Sequence, residues 1–441
     1  GAGGFTALTP RQEVTAVPNA LYAANAGLLN GQAASAFVDL ASAQSVAGVK
    51  TFAGGVKFAD GTKQTSAFRR PMLPGPGIAT TEDSSDTYTG QYTSIAIGAD
   101  GLALISYYTY NVLYATLAVL HCGNAACTAG NTLTAIEQGY VGQYSSITIG
   151  ADGLGIISYY DYNLGDLKVA HCGNLTCSSG NAITSFTLDD VGRYSAITTG
   201  SDGFGLISFY DVTIGALKVL HCGNSRCNAG GTNTVVDVGN PAAVGPYTSI
   251  TIGADGFGLI SYLDVTNTSL KVLHCGNIAC DSGNTSGTVD DSGTVGEFTS
   301  ITIGADGLGL ISYHDPGNGD LKVLHCGNLT CNSGNISATV DSVGIVGIDA
   351  SIAIGEDGLG LISYYDATNG HLKALHCGNA TCNSGNISNT LDSAYNVGSY
   401  TSVAMDPAGL PMISYYDVYN QDLKVFRCVT PTCAPYMRVG R

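Results

Sequence analysis

The sequence predicts an all-β protein, a seven-bladed β-propeller with four-stranded blades that follows an extended N-terminal arm. A segment of about 50 residues recurs seven times, and this period is typical of propellers. Every copy consists of short strand-like runs separated by glycine-rich turns, without the 3.6-residue apolar spacing of helical repeats. All fourteen cysteines fall in pairs at the same place in each copy. A propeller accounts for all three observations.

Each copy contains four predicted strands, as in YTSITIGADGFGLISYLDVTNTSLKVLHCGNIAC from Tyr247. The first, SITIG, carries small residues that suit the crowded position next to the propeller axis. Asp-Gly follows it, a strong hairpin signal between apolar runs. LISYLD and LKVLHC give the second and third strands, and a Thr/Ser/Val-rich stretch such as NISATV from Asn335 gives the fourth. The blade repeats start near residues 92, 144, 194, 247, 298, 349 and 400.

The seventh copy ends after its third strand, near Cys433. Residues 77–83, which precede the first copy, occupy the place of a fourth strand, so we expect them to complete the seventh blade. Such closure removes free sheet edges, which favour aggregation. The alternative is that the tail YMRVGR provides this strand. The predicted propeller domain therefore covers residues 77–441.

Residues 1–70 form the predicted arm. ALYAANA could form a short helix, and KTFAGG and VKFADGTKQTSA contain strand-like pieces around an Asp-Gly turn. A segment this short and this poor in apolar residues does not easily fold alone. We therefore expect the arm to need a partner surface and to mediate assembly into a homo-oligomer or filament.

The composition excludes several classes of partner. The chain has 441 residues and a net charge of −17, which disfavours nucleic acid and anionic membranes as partners. It contains no run of 18 or more apolar residues that could span a bilayer. The even number of evenly spaced cysteines indicates an oxidising compartment, so we expect an extracellular or cell-surface location.

The cysteine pairs are predicted to be local disulfides. Covalent haem attachment and thioredoxin-like redox centres need a Cys-x-x-Cys spacing, which no pair has. Zinc needs four ligands, and a copy offers at most one histidine and two cysteines, so a metal site is the weaker alternative. We expect no metal and no cofactor. The predicted disulfides are Cys122–Cys127, Cys172–Cys177, Cys222–Cys227, Cys275–Cys280, Cys326–Cys331, Cys377–Cys382 and Cys428–Cys433.

Two further residue types recur at fixed positions. Histidines that precede the first cysteine are expected to form hydrogen bonds within their blades; they are His121, His171, His221, His274, His325 and His376. Lysines in the third strand are expected to form a solvated ring, paired with acids of a neighbouring blade; they are Lys168, Lys218, Lys271, Lys322, Lys373 and Lys424.

The end of the second strand supplies the candidate ligand-binding residues. An aromatic residue followed by aspartate recurs there, which would place rings and carboxylates at one level of the propeller. The aspartates could instead cap the following turn through its backbone amides. A binding role would suit sugar, peptide or, least well, calcium, because the spacing of a calcium loop is absent. The candidates are Tyr160, Asp161, Tyr210, Asp211, Asp264, His314, Asp315, Tyr365, Asp366, Tyr416 and Asp417.

The N-terminal amino-acid sequence resembles known bacterial segments. LTPRQEVTAVPNALYAANAGLLNGQAASAF resembles a module of large bacterial surface and secreted proteins, and VAGVKTFAGGVKFADGTKQTSA resembles the stalks of phage-tail fibres. The resemblance implies an extracellular, bacterial fibre context, trimeric or filamentous. It also implies that a further domain precedes Gly1.

The repeat resembles uncharacterised bacterial extracellular propeller repeats and, loosely, those of the sialidase superfamily. The chain departs from the sialidase pattern because it has no tryptophan, which the Asp-box motif requires. Sialidases also use three arginines that converge on the substrate carboxylate. The repeats contain only Arg193, Arg226 and Arg427, and the last two flank the cysteine motif. Sialidase activity is therefore not expected.

The near-identity of the copies guides the functional prediction. An asymmetric reaction centre needs unlike residues from different blades, and the copies look interchangeable. We therefore predict that the protein is not an enzyme but a structural subunit of a surface fibre or filament, assembled through residues 1–70. The alternative is a multivalent, lectin-like adhesin that binds carbohydrate or polymer through the propeller face.

Overall fold

The computed structural model describes residues 56–57, 63–64, 76–84, 88–187, 190–239 and 243–435. The chain divides into two compact units, Gly1–Met72 and Leu73–Arg441. In the first unit, strand β1 (Val56–Lys57) pairs antiparallel with β2 (Lys63–Gln64), within one of the two segments expected to be strand-like. The predicted helix at ALYAANA lies outside the described residues.

The second unit is a seven-bladed propeller of four-stranded antiparallel sheets, which confirms the predicted fold class. Blade 1 has β4 (Thr89–Ile97), β5 (Ala103–Tyr110), β6 (Ala115–His121) and β7 (Thr132–Gln138); blade 2 has β8 (Val141–Ile149), β9 (Gly155–Asp161), β10 (Asp166–His171) and β11 (Ala182–Phe186). Blade 3 has β12 (Val191–Thr199), β13 (Gly205–Asp211), β14 (Ala216–His221) and β15 (Thr232–Val238); blade 4 has β16 (Ser249–Ile252), β17 (Gly258–Asp264), β18 (Ser269–His274) and β19 (Thr285–Asp290).

Blade 5 has β20 (Glu297–Ile303), β21 (Gly309–Asp315), β22 (Asp320–His325) and β23 (Ile336–Asp341); blade 6 has β24 (Val346–Ile354), β25 (Gly360–Asp366), β26 (His371–His376) and β27 (Ile387–Asp392). Blade 7 has β28 (Val397–Met405), β29 (Pro411–Asp417), β30 (Asp422–Cys428) and β3 (Gly77–Asp83). The last pairing, Ile78 opposite Arg427, closes the ring by joining the start of the unit to its end.

The strands alternate in direction, so their connections divide between two faces. The face that we call the disulfide face carries the hairpins between first and second strands and the cysteine loops after the third strands. The other, the connecting face, carries the turns between second and third strands and the connections from blade to blade. The first strands pack against one another around the axis.

The hydrophobic core lies between blades rather than within one centre. Each of seven apolar clusters combines side chains from adjacent blades, as where Leu206 and Val219 of blade 3 meet Ile260 and Tyr262 of blade 4. Both faces of the second strands are covered in this way, so a strand such as β17 is buried along its whole length. The core therefore positions neighbouring blades at a fixed angle.

The cysteine loops match the prediction. All seven expected disulfides are present, and no cysteine in the described residues is free. The histidines also bond within their blades, as predicted: His325 Nε2 lies 2.7 Å from Asp306 Oδ2 in the adjacent hairpin. In blade 7, Arg427 replaces the histidine and pairs with Asp406.

The third-strand lysine side chains are at most 15% exposed, so the prediction of a solvated ring is wrong. Their predicted pairing with acids of a neighbouring blade is observed for five of the six, Lys218 pairing instead with Asp211 of its own blade. In blade 5, Lys322 Nζ lies 2.6 Å from Asp290 Oδ2, and the Tyr313 hydroxyl donates to the same oxygen at 2.5 Å. The Lys322 ammonium also lies over the Tyr313 ring, 5.6 Å from its centroid, and four other third-strand lysines make the same contact with the aromatic residue of their own second strand. None of the described residues forms a helix with the length and hydrophobicity needed to cross a bilayer.

Candidate binding site on the propeller axis

A β-bulge near the start of each first strand sets the geometry of the axis. In blade 1, Gln91 opposes Tyr108 and Ser94 opposes Ser106, so two residues face one across the pair. The first bulged residue has a left-handed backbone in all seven blades, with φ between 51° and 56°. Non-glycine residues rarely adopt this conformation, and bulges re-aim side chains. The seven residues are Tyr92, Tyr144, Tyr194, Tyr247, Phe298, Asp349 and Tyr400.

These seven side chains form what we call the axial ring. Successive aromatic rings around the axis lie 4.6–4.8 Å apart between centroids, from Tyr400 through Tyr92 to Phe298. Neighbouring tyrosine hydroxyls interact, since Tyr92 bonds to Tyr400 and Tyr144. Burial raises the pKa of the Tyr92, Tyr144 and Tyr247 hydroxyls well above the ordinary value, so the phenols stay neutral.

A second layer of hydroxyl groups supports the ring. The residue after each ring residue is threonine or serine in six blades, and its hydroxyl bonds to a buried serine of the preceding blade's second strand at 2.5–3.0 Å. In blade 5, for example, Thr299 pairs with Ser261. These bonds fix the first strands around the axis.

Blade 6 departs from both layers. Asp349 stands where the other blades have an aromatic residue, and Ala350 stands where they have threonine or serine. The Ser312 hydroxyl, fully buried in blade 5, consequently has no hydrogen-bond partner among the described residues. The axis is therefore asymmetric at one blade.

The ring and the hydroxyl layer line a shallow cavity of about 180 Å³ that opens to solvent; we call it the axial cup. Asp349 is the one carboxylate in its lining, and the backbone N–H of Tyr400 donates to Asp349 Oδ2 at 2.7 Å. Burial raises the pKa of the Asp349 carboxyl to about 6, against the opposing effect of that hydrogen bond. The group is thus ionised at neutral pH and neutral in mild acid.

Exposed apolar side chains surround the cup on the connecting face. They lie in the turns between second and third strands and in the blade connections, and Tyr395 and Tyr419 are 75% and 67% exposed. These two rings meet edge to face, with centroids 5.5 Å apart. The set, which we call the rim, is Tyr88, Val112, Leu113, Tyr140, Tyr162, Leu164, Ile214, Val265, Val343, Ile345, Tyr395 and Tyr419.

The residues proposed from the sequence lie behind the axial ring rather than in the cup lining. Asp161, Asp211, Asp264, Asp315, Asp366 and Asp417 are buried and accept hydrogen bonds from backbone N–H groups of the following turn. Tyr160, His314 and Tyr416 pack near the ring residue of their own blade.

Three of the candidate side chains, Tyr160, His314 and Tyr365, form hydrogen bonds to the blade that follows their own. The Tyr160 hydroxyl donates to Asp190 at 2.6 Å, His314 Nδ1 meets the carbonyl of Val346, and Tyr365 bonds to Asn396. Their role as ligand-binding residues remains a prediction. The described residues contain no group of three or more His, Cys, Asp or Glu side chains that could hold a metal ion.

The repeat pattern predicts the blade starts at the same seven residues, but it does not predict that their side chains form the axial ring. The signal lies in the aligned repeats, where DASI in blade 6 replaces YTSI and its close variants. A position that varies between otherwise equivalent blades is the feature that distinguishes this site in the sequence. The missed residues are Asp349, Ala350 and the aromatic members of the ring.

Comparisons with known proteins identify the fold. No protein-family model and no curated protein sequence matches the chain. A polysaccharide lyase, an ulvan lyase, superposes with a TM-score of 0.51 at 9% identity, covering 81% of this chain and 96% of its own. A protein of unknown function from Dyadobacter fermentans gives a TM-score of 0.49 at 11% identity, covering 80% and 99% of the two chains. A sialidase from Streptococcus pneumoniae gives 0.45 at 9% identity, covering 83% and 73%. The likeness to the ulvan lyase shows a shared propeller fold.

The expectation that the protein is not an enzyme is wrong as an exclusion. A solved structure with this fold is an ulvan lyase by name, so the fold is one on which catalysis occurs. The physical premise also fails, because the blades are not interchangeable at the axis: Asp349 and Ala350 make blade 6 unlike its neighbours.

Proposed function

We propose that the propeller binds a carbohydrate on its connecting face, with one sugar unit seated in the axial cup. The observation that carries this proposal is the axial ring, in which aromatic side chains with converging hydroxyl groups are interrupted by one carboxylate, Asp349. Small-molecule sites are typically concave, with aromatic walls and a few polar groups that fix orientation.

The chemistry of the lining suits a sugar. Tyrosine offers an apolar ring beside a hydroxyl that donates and accepts, which matches the alternating C–H and O–H groups of a pyranose. The exposed rim tyrosines, such as Tyr395 and Tyr419, extend the same chemistry outward from the cup. The ulvan lyase that shares the fold acts on a polysaccharide, which supports this class of ligand.

Binding to an array of immobilised polysaccharides and oligosaccharides tests the proposal. The wild type should bind a subset of them, and Asp349→Tyr, which would close the ring with a sixth hydroxyl, should weaken that binding at least about tenfold. Phe298→Tyr is the matched control: it adds a hydroxyl at the neighbouring ring position and leaves the gap at blade 6 open. A protein that binds no glycan, or whose binding is unchanged by Asp349→Tyr, would refute the proposal.

One observation favours a second candidate, cleavage of the bound carbohydrate. A carboxyl group with a pKa of about 6 can both give and accept a proton near neutral pH, as general acid–base catalysis requires. The Tyr247 hydroxyl lies within electrostatic range of Asp349 and of Glu297 from blade 5. New reducing ends, released from bound polysaccharide by the wild type but not by Asp349→Asn, would support cleavage; their absence would leave binding alone.

The arm remains a separate proposal. We predict that residues 1–70 join copies of the chain, extracellularly and in a fibre or other homo-oligomer, because their text resembles fibre stalks. The seven disulfides are consistent with an extracellular protein. Mass photometry of the whole chain beside the 73–441 fragment tests this, since only the whole chain should assemble.

A further inference from the structure

Asp349 differs from the aspartates that end the fourth strands of blades 4, 5 and 6 in having no cation beside it. Asp290, Asp341 and Asp392 each bind the lysine of the next blade. Within the described ranges, Asp349 forms no ion pair, and its one recorded hydrogen bond comes from the Tyr400 backbone. An ionised, half-buried carboxylate without a cation is costly unless a ligand compensates it.

The carboxylate also has unused hydrogen-bonding capacity. Two carboxylate oxygens together accept about four hydrogen bonds, and the Tyr400 N–H uses one of these positions. Phe298, the ring residue before Asp349, has no hydroxyl group and therefore cannot donate a hydrogen bond to the remaining acceptor sites of the carboxylate. The free acceptors belong to a group that lines the open cup, where a ligand can reach them.

The remaining charged groups near the cup do not neutralise Asp349. Glu297, like Asp349, acts electrostatically on Tyr247, so it brings further negative charge to this side of the cup. Arg193 lies near Tyr144, three ring positions from Asp349, and pairs with Asp190. The tyrosines of the ring are neutral, and the protein as a whole carries −17. The electrostatic potential of the cup near Asp349 therefore favours the binding of a cation.

We propose that the axial cup binds a primary ammonium group, carried by an amino sugar of the bound carbohydrate, through a charge-assisted hydrogen bond to Asp349. The inference rests on the proposed carbohydrate-binding function and names its ligand class. An ammonium group has three donors, which suit one carboxylate oxygen and the neighbouring tyrosine oxygens of Tyr247 and Tyr400. An N-acetylated or hydroxyl-bearing sugar of the same shape lacks the charge.

Three oligosaccharide series of equal length separate the alternatives. β-1,4-linked glucosamine, N-acetylglucosamine and glucose oligomers share a backbone and differ only in bearing –NH3⁺, –NHCOCH3 or –OH at one carbon. Isothermal titration at 150 mM salt and pH 6.5 should give the glucosamine oligomer about tenfold or more tighter binding than the other two. Affinity should fall as the pH drops below about 6, because Asp349 then takes up a proton.

Variants locate the effect. Asp349→Asn should reduce the glucosamine oligomer to the affinity of the glucose oligomer and abolish the pH dependence. Asp281→Asn is the matched control, because Asp281 lies in an exposed cysteine loop on the disulfide face and its loss changes the net charge equally. Equal losses in the two variants would reveal non-specific attraction of a polycation and overturn the inference.

The outcomes for the two proposals are distinguishable. If all three series bind equally and Asp349→Asn has no effect, the ammonium inference fails and carbohydrate binding stands. If no oligosaccharide binds, saturation-transfer NMR with methylammonium chloride and with methanol, its uncharged counterpart, tests the cup directly. Methylammonium binding that depends on Asp349 would retain the cation site and reject the carbohydrate, whereas no binding would reject both.

Discussion

The carboxyl group of Asp349 is held in a backbone conformation and a cavity that the other six blades give to aromatic side chains. Its pKa of about 6 lies above the ordinary value of 3.8, because burial disfavours the charged form. A group whose pKa is raised on folding supports the fold fully below its unfolded pKa. That support is lost as the pH rises through the folded value, here between about 4 and 6.

Replacement of this carboxyl should therefore stabilise the protein above neutral pH. We expect Asp349→Asn to raise the free energy of unfolding by about 1–3 kcal/mol at pH 7–8, and to have little effect at pH 4. Thermal unfolding of both proteins across this range measures the difference. A difference that does not change with pH would show that Asp349 is not the titrating group.

The unpartnered Ser312 hydroxyl gives a second prediction at the same scale. Ala350→Thr restores the hydroxyl found at this position in the other blades, and a hydrogen bond to Ser312 should stabilise the fold by about 1 kcal/mol. Ala350→Val, equal in shape but without the hydroxyl, is the control. Calorimetric melting temperatures should rise for threonine relative to valine; equal values would mean that the bond does not form.

Individual residues were predictable from the sequence where chemistry is local. The capping aspartates, the histidine hydrogen bonds and the disulfides all depend on neighbours within one blade. The axial ring depends on seven residues separated by about 50 positions each, brought together only when the ring closes. The side chain of the tyrosine in YTSI points towards the axis because a β-bulge with a left-handed residue re-aims it. The tetrapeptide itself does not indicate this direction.

Between elements, the third strand of one blade and the fourth strand of the preceding blade are joined by a tyrosine, a carboxylate and a lysine. Burial alone would raise the pKa of Asp290, but hydrogen bonds from Lys322, Ser292 and Tyr313 hold it at about 2. The carboxylate therefore contributes stability above its unfolded pKa of about 4, and this contribution is lost as the pH falls towards 2.

We expect Asp290→Asn to destabilise the protein by about 3 kcal/mol at pH 7, since it leaves the buried Lys322 without its partner. The loss of stability between pH 4 and 2 should be smaller in this variant than in the wild type. Acid titration followed by near-ultraviolet circular dichroism measures both effects. Identical acid profiles would contradict a structural role for the pair, and Asp281→Asn provides an exposed control.

The strands and hairpins themselves were well predicted, because alternating runs and Asp-Gly turns specify them locally. The burial of the lysines was not. A lysine in a strand usually indicates a solvated face, and only the packing of the next blade over it shows that its stem is covered.

At the scale of the whole molecule, one strand from the start of the propeller unit closes the ring. β3 pairs with β30, so the two ends of the unit hold each other in blade 7. Removing residues 1–84 should leave the outer edge of β30 unpaired, lower the melting temperature and promote aggregation. The 73–441 fragment keeps β3 and should melt like the propeller of the intact chain. Equal melting of both fragments would mean that closure adds nothing to stability.

The number of blades followed from counting repeats, whereas function did not follow from their similarity. The repeated residues form the scaffold, whereas Asp349 and Ala350, which depart from the repeat, lie at the axis where all seven blades meet. An open cup with one carboxylate in its lining, surrounded by exposed apolar side chains, is the feature that a sequence without its fold does not display.

The most direct test of carbohydrate binding at this face is hydrogen–deuterium exchange with and without the tightest-binding oligosaccharide. We expect the oligosaccharide to slow exchange in peptides that contain the axial ring and its neighbouring turns, such as 88–93, 344–350 and 395–401. We expect unchanged exchange in the cysteine loops of the disulfide face, such as 122–131. Protection confined to those loops, or to residues 1–72, would contradict binding at the connecting face.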